Sequence, residues 1–180
     1  FPGDPAPEAE RMLSIKKGDV CNLTKISMCA HNGTHVDAPY HFLDGGKTID
    51  RIPLEAFVGV CYVVHHQGDV NAEAAQRILE KARKQQAEER ILIGGKAVIT
   101  AEAAKVFAKA GIKLIGNESQ TVGPENAPKE VHMILLEAEV VLLEGAVLNH
   151  VPEGKYLLSA APLNLAGADG APCRAVLIAE

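Results

Sequence analysis

Apolar and polar positions alternate along this chain with two periods. Between residues 19 and 30, Val20, Thr24, Ile26 and Met28 fall on even positions, and period two with β-branched residues predicts a strand. Residues 59–65 carry Val60, Tyr62, Val63 and Val64 in a nearly unbroken run, the pattern of a short strand buried on both faces. The period lengthens over residues 71–90, where Ala75, Ile78, Leu79 and Ala82 make one narrow stripe among Glu, Gln, Lys and Arg. That predicts a helix packed on one side, with its charges in water. Ile91-Leu92-Ile93, closed by Gly94-Gly95, reads as a brief strand. Thr100 can cap a helix through Ala110 that Gly111 ends. A strand over 112–115, a loop over 116–128, a helix over 129–138 and a strand over 140–143 ending in Glu144 follow. Residues 149–152 read as a turn, and 156–165 and 173–179 as a hairpin around Gly167-Ala168-Asp169-Gly170. Residues 1–12, rich in Pro and Gly, predict an extended loop. Alternating strands and helices with an antiparallel end predict one mixed-sheet α/β domain over 1–180.

Composition narrows the partners. The chain has 180 residues, 47% of them hydrophobic, and a net charge of −5. An acidic balance argues against nucleic acid or an anionic membrane surface, since each calls for a basic patch. No apolar run reaches the ~18 residues a membrane span needs, and no secretory leader pattern is seen. The opening, Phe1-Pro2-Gly3-Asp4-Pro5, lacks a Met and reads as the interior of something longer. Cys21, Cys29, Cys61 and Cys173 form no CxxC pair, which predicts free thiols in a reducing cytoplasm.

Candidate chemistry concentrates in one stretch, His31-Asn32-Gly33-Thr34-His35-Val36-Asp37-Ala38-Pro39-Tyr40-His41. Imidazole nitrogen and carboxylate oxygen suit zinc, and His31, His35 and Asp37 would leave a coordination position for water. On a straight strand, residues four apart lie about 13 Å apart, too far to share a metal. The chain must therefore bend between His31 and His35, and Asn32-Gly33 is a strong turn dipeptide. Two other readings stay open: histidines decorating a hairpin turn, and a metal-free acid–base site. His41 could be a further ligand or the group that moves protons. His132, inside a predicted helix, and Glu144, closing a strand, could converge on the same site. His65, His66 and His150 read as surface or turn residues.

These residues resemble a known family. His31-x-Gly-Thr-His35-x-Asp37-x-Pro-x-His41 is similar to the HxGTHxDxPxH motif of the cyclase-like metal-dependent hydrolases, which include bacterial kynurenine formamidase (arylformamidase) and isatin hydrolase. Phe1-Pro2-Gly3-Asp4, the strand ending in Gly116, Val131-His132, Leu142-Leu143-Glu144-Gly145 and Pro172-Cys173-Arg174-Ala175 extend the likeness along nearly the whole chain. The resemblance implies a swivelling β/β/α domain with a barrel-like mixed sheet, usually a homodimer. It implies His31, His35 and Asp37 as ligands of a first metal, and Asp37, His132 and Glu144 as ligands of a second, with Asp37 bridging. It implies His41 as proton donor and acceptor, and Phe1 at a substrate-contacting position, with Tyr40 and Phe42 the other apolar walls. Zn2+, as one or two ions, or Mn2+, is the implied cofactor.

The implied reaction is hydrolysis of a small amide or formamide C–N bond, with N-formylkynurenine, from tryptophan catabolism, as the first substrate to expect. A cyclic amide or lactone is the alternative within the family. A catalytically inactive metal-binding module and a closed structural metal site are the alternatives outside it. Three features depart from the family pattern: Phe1 where the formamidases have Trp, Met133 where many have a second His, and the loop Asn117-Glu118-Ser119-Gln120-Thr121. All three bear on the substrate more than on the metal.

Overall fold

The structure, a computed structural model, describes residues 1–179. Twelve strands and three α-helices run in the order β1 (Glu8–Leu13), β2 (Leu23–Ser27), β3 (His35–Asp37), β4 (Val58–His65), β5 (Gly68–Val70), α1 (Ala72–Lys84), β6 (Arg90–Gly94), β7 (Ala97–Ile99), α2 (Ala101–Ala110), β8 (Leu114–Asn117), α3 (Lys129–Glu137), β9 (Val141–Glu144), β10 (Gly154–Ser159), β11 (Gly170–Pro172) and β12 (Val176–Ile178). Eight strands form one mixed sheet in the order β11-β3-β9-β8-β6-β4-β10-β12. The centre, β9-β8-β6-β4, is parallel, and the flanking pairs are antiparallel. The expected mixed-sheet α/β class is what the chain adopts.

The sheet curls. β11 and β12 stand at opposite ends of the strand order, yet only residues 173–175 separate them. In a flat sheet, seven steps of about 4.8 Å would part them by about 34 Å. The connector reaches only about 14 Å, so the ends must approach, and the bridge between Pro162 and Cys173 lies where they do. Curling gives the sheet two differently filled faces. Outside, Tyr62, Val64, Ile91, Ile93, Ile115 and Leu142 pack with the three helices. Inside the half-barrel, Val36, Cys61, Val63, Leu92, Leu114, Val141, Leu143 and Leu158 pack on one another. Period-two side-chain direction explains why neighbours such as Leu142 and Leu143 fall into different cores.

Local signals set the helix ends. The Asn71 side chain accepts from Ala74 N at 2.9 Å and the Thr100 hydroxyl from Ala103 N at 3.3 Å, each satisfying an unpaired first-turn amide. Gly111 ends α2 in the left-handed conformation, φ +70°. α1 stops at Lys84, short of the expected residue 90, and β8 starts two residues later than expected.

One expectation near the start is corrected. Residues 8–12 are not loop: they form β1, which pairs antiparallel with β2. The even-position stripe of residues 20–28 does not face a core, because every residue of β2 is exposed. The β1–β2 ribbon carries its apolar side chains outward, so alternation marked a strand but not a buried one. The four cysteines are free thiols. Among the described residues, no helix is long and apolar enough to cross a membrane.

Candidate metal centre

The bend expected between His31 and His35 is present. The Asn32 side chain accepts from Cys29 N at 2.8 Å, and Gly33 takes φ +70°, a conformation costly for residues with a Cβ. Thr34 then donates its hydroxyl to Gly145 O at 2.7 Å, tying the bend to the end of β9. In β3, period two puts His35 and Asp37 on one face and Val36 in the half-barrel core. Register places His35 opposite Glu144 and Asp37 opposite Leu142, so Glu144 shares that face. α3 covers it and delivers His132 from its buried side.

Four ionisable side chains thus meet with almost no solvent. His35, Asp37, His132 and Glu144 are all buried. His35 Nε2 lies 3.3 Å from Asp37 Oδ1 and 3.5 Å from Glu144 Oε2. His132 Nε2 lies 3.2 Å from Glu144 Oε1 and 3.6 Å from Asp37 Oδ2. The far nitrogens are committed: His35 Nδ1–H donates to Gly33 O at 2.9 Å, and His132 Nδ1–H to Pro128 O at 2.8 Å. Both imidazoles therefore turn Nε2 toward the carboxylates, the orientation metal-ligating histidines take. Glu144 is steadied by Val122 N at 2.8 Å.

A divalent cation fits this donor set. His35 Nε2 and Asp37 Oδ2 are buried without a hydrogen-bond partner, a state that costs free energy unless a ligand completes it. Ligating atoms of His35, Asp37 and Glu144 lie within 4.8 Å of one another, and so do those of His31, Asp37 and His41. Asp37 belongs to both groups. The second group differs from the expected His31, His35 and Asp37 set in holding His41 in place of His35.

Electrostatics follow the geometry. Burial alone would raise the Asp37 carboxyl, but the facing imidazoles of His132, His31 and His35 outweigh it and hold its pKa well below the usual range. Burial alone would lower the imidazoles; the facing carboxylates reverse this and push His35 up to about 10 and His132 up to about 9. His31 is also raised: burial works against it, and Asp37 and Asp169 overcome that. His41 differs. Burial prevails there and lowers its pKa, so it is neutral at pH 7.

Beside this cluster is a cavity of about 200 Å³ lined by Phe1, Asp4, His31, His35, His41, Phe42, Gln120, Thr121, Pro128, His132 and Glu144. Phe42 packs on His132 with ring centroids 4.7 Å apart and meets His41 edge-on at 4.6 Å. Phe1 and Phe42 therefore stand where the sequence put them. Tyr40 does not: it is exposed and absent from the cavity lining. It shares a single 3₁₀ turn, Pro39–His41, with His41, and successive residues of such a turn leave about 120° apart. His65 and His66 bond backbone carbonyls away from the site.

Asp169, beside the site, escaped sequence reasoning, while Asp4, Gln120 and Thr121 line the cavity but were read only as parts of the opening motif and of the departing 117–121 loop. Asp169 Oδ2 lies 2.9 Å from His31 Nε2 and 3.2 Å from His41 Nδ1. Its only sequence signal was an Asp in a Gly-rich turn, which reads as a connection. Thr121 Oγ1 is buried beside the cavity with no hydrogen-bond partner.

A sequence profile of the family described as putative cyclase matches residues 4–124. The chain is 35% identical over 168 residues to the kynurenine formamidase of Salinibacter ruber, covering 87% of this chain and 79% of that protein. It is 33% identical to the kynurenine formamidase of Erythrobacter litoralis, covering 98% and 86%. The fold superposes on a solved structure of a potential metal-dependent hydrolase with cyclase activity, with TM-score 0.79, 27% identity and coverage of 98% and 92%. It also superposes on isatin hydrolase A from Labrenzia aggregata with TM-score 0.83, covering 100% of this chain and 86% of that one, at 22% identity.

Proposed function

The chain belongs to the cyclase family, and from that premise we propose that it hydrolyses the C–N bond of a small aryl formamide, with N-formylkynurenine as substrate. It is a metal-dependent hydrolase. The observation that carries the reading is the buried meeting of His35, Asp37, His132 and Glu144 beside a cavity that His41 also lines.

A divalent cation would be held by His35, Asp37 and Glu144, with His132 on the same carboxylates and His31 on the outer side of Asp37. The shared position of Asp37 supports room for one or two ions. Zinc is the cation proposed and manganese the alternative, since imidazole and carboxylate donors suit both. Bound there, the cation supplies Lewis acidity, polarising an amide carbonyl and acidifying a water.

The rest belongs to the chain's own residues. His41 is neutral at pH 7, so it can accept a proton from the attacking water. The imidazolium so formed can hand that proton to the departing amine, which otherwise leaves as a poor anion. Phe1 and Phe42 offer apolar rings at the cavity wall for an aryl group. Gln120 and Thr121 add polar atoms at the same wall.

The chain works as a homodimer in this proposal. A two-stranded ribbon is marginal alone, and β1–β2 presents Met12, Leu23 and Ile26 to solvent, so a second copy is the natural cover for it. A cytoplasmic setting agrees with four free thiols.

The test is chelation followed by re-addition of zinc or manganese, with turnover measured on N-formylkynurenine, simple aryl formamides, cyclic amides and lactones. Cation-dependent turnover of the formamides is expected. Preference for a cyclic amide or lactone would replace the substrate. Bound cation without turnover of any of them would make the chain an inactive binding module.

A further inference from the structure

Asp169 lies far from the His stretch in sequence, yet its loop is clamped to that stretch and to the segment that follows it. Ala38 N donates to Asp169 O at 2.9 Å, Ile49 N to Ala168 O at 2.9 Å, and Gly167 N to the Asp50 side chain at 3.0 Å. Gly170 pairs with Asp37 in register. A Cβ on Gly170 would lie 2.7 Å from His31 Cε1 and 2.8 Å from Val36 O, so the loop presses against the His31 ring at its closest point. The loop is built to hold one carboxylate in one place.

That place is shared by two rings. The His31 and His41 centroids are 4.0 Å apart with an interplanar angle of 31°, and His31 Nε2 and His41 Nδ1 both reach the same oxygen, Asp169 Oδ2. We propose that Asp169 is a positioning residue that sets the tautomers of His31 and His41 together, assigning one to the cation and the other to proton transfer. An ionised carboxylate only accepts hydrogen bonds, so each nitrogen facing it must carry a proton. A neutral imidazole has a single N–H, which leaves the lone pair on the other nitrogen. For His31 that is Nδ1, which without a cation shares its proton with Asp37 Oδ1 at 2.8 Å and would give its lone pair to a cation held on that side. For His41 it is Nε2, the nitrogen left free to take a proton. Both contacts end on one carboxylate oxygen, which in an ionised carboxylate can only accept. Without Asp169, either ring could present N–H where its lone pair is needed.

The effect on turnover rests on the proton-carrying role proposed above for His41; the tautomers do not. The experiment uses the full chain labelled with ¹⁵N-histidine, as wild type, Asp169→Ala and Asp169→Asn, each checked for folding by circular dichroism. Two-bond ¹H–¹⁵N spectra of the zinc-loaded and zinc-free proteins report which nitrogen of each ring holds the lone pair. In the wild type, His41 should be protonated at Nδ1, and zinc-loaded His31 at Nε2. In Asp169→Ala, His41 should redistribute between tautomers, and zinc affinity, measured by competition with a chelator, should fall about tenfold. On the preferred formamide, kcat should fall about 100-fold with KM nearly unchanged. Asp169→Asn keeps the shape and one acceptor oxygen but loses the charge, so it should fall between the two. It decides the matter if Asp169→Ala does not fold. A folded variant with wild-type tautomers and wild-type zinc affinity overturns the proposal, whatever its turnover. If the wild type turns over no formamide, the functional reading fails, while the spectra and affinities still decide the role of Asp169.

Discussion

Lowering the pH should strip the cation from this site more steeply than histidine ligands ordinarily allow. Without a cation, the charge of Asp37 and Glu144 is met by protons on His35 and His132, whose pKa values stand at about 10 and about 9. Both Nε2 atoms carry those protons at pH 7, because both Nδ1 protons are already committed to Gly33 O and Pro128 O. A cation that takes both lone pairs must expel two protons. By linkage, the slope of log affinity against pH equals the number expelled. Between pH 7 and 8 affinity should therefore rise about 100-fold. Imidazoles titrating at the ordinary value of about 6.5 would be largely deprotonated already, and the same step would change affinity by less than about twofold. Asp37, held well below its usual range, adds no proton in this window. The assay is competition against a chromophoric chelator from pH 6.5 to 8.5, with protons released per ion read by an indicator dye in weak buffer. A flat affinity above pH 7, with no proton release, would refute the argument. The same shifts carry a sign for stability. Folded-state values above the unfolded value stabilise the cation-free protein fully below about pH 6.5 and lose that contribution as pH rises through 9 and 10. Its melting temperature should fall over that window, while zinc-loaded protein should not follow.

Further outcomes are expected elsewhere in the molecule. His41→Ala should keep its cation content and lose kcat by about 10²- to 10⁴-fold, the usual share of general acid–base catalysis; stoichiometric metal with undiminished turnover would remove His41 from the mechanism. Phe107 is fully buried on the inner face of α2, so Phe107→Ala should cost about 3–5 kcal/mol in denaturant unfolding. Ile26→Glu, on the exposed ribbon strand β2, should shift the molar mass by light scattering from dimer toward monomer without changing cation binding; a monomeric wild type would end the dimer proposal.

Legibility in the sequence followed the range of the forces involved. α2 was readable to the residue because both of its ends are set by local groups, the Thr100 hydroxyl and the left-handed Gly111. The ligand stretch was readable because most of its donors are contiguous and the bend they need is written beside them as Asn32-Gly33. The ribbon was half-readable. Alternation in residues 20–28 marked a strand, but nothing local says whether an apolar stripe faces a core or the outside, and β1, with Glu8, Glu10 and Met12 on one face and Ala9, Arg11 and Leu13 on the other, mixes charge with apolar residues on both. Tyr40 failed because proximity in sequence does not fix direction in a 3₁₀ turn.

Asp169 was the least readable part of the site, and the reason lies in how the sheet closes. Its neighbours His31 and His41 come from the first quarter of the chain, and no local pattern links them to a Gly-Ala-Asp-Gly turn. The link exists only because β11 adds antiparallel to β3 while β12, three residues on, adds to the far edge at β10. One short connector therefore forces both the curl and the return of residues 167–170 to the His stretch. Apolar burial inside the half-barrel, by Val36, Cys61, Val63, Leu143 and Leu158, is what holds that curl. On this account a cavity cut inside the half-barrel, by Leu158→Ala for instance, would loosen the edge that carries Asp169 without touching any ionisable group. Core packing and proton placement are then one design: the face of β3 that carries Val36 closes the sheet, and the face that carries His35 and Asp37 receives what the closure brings.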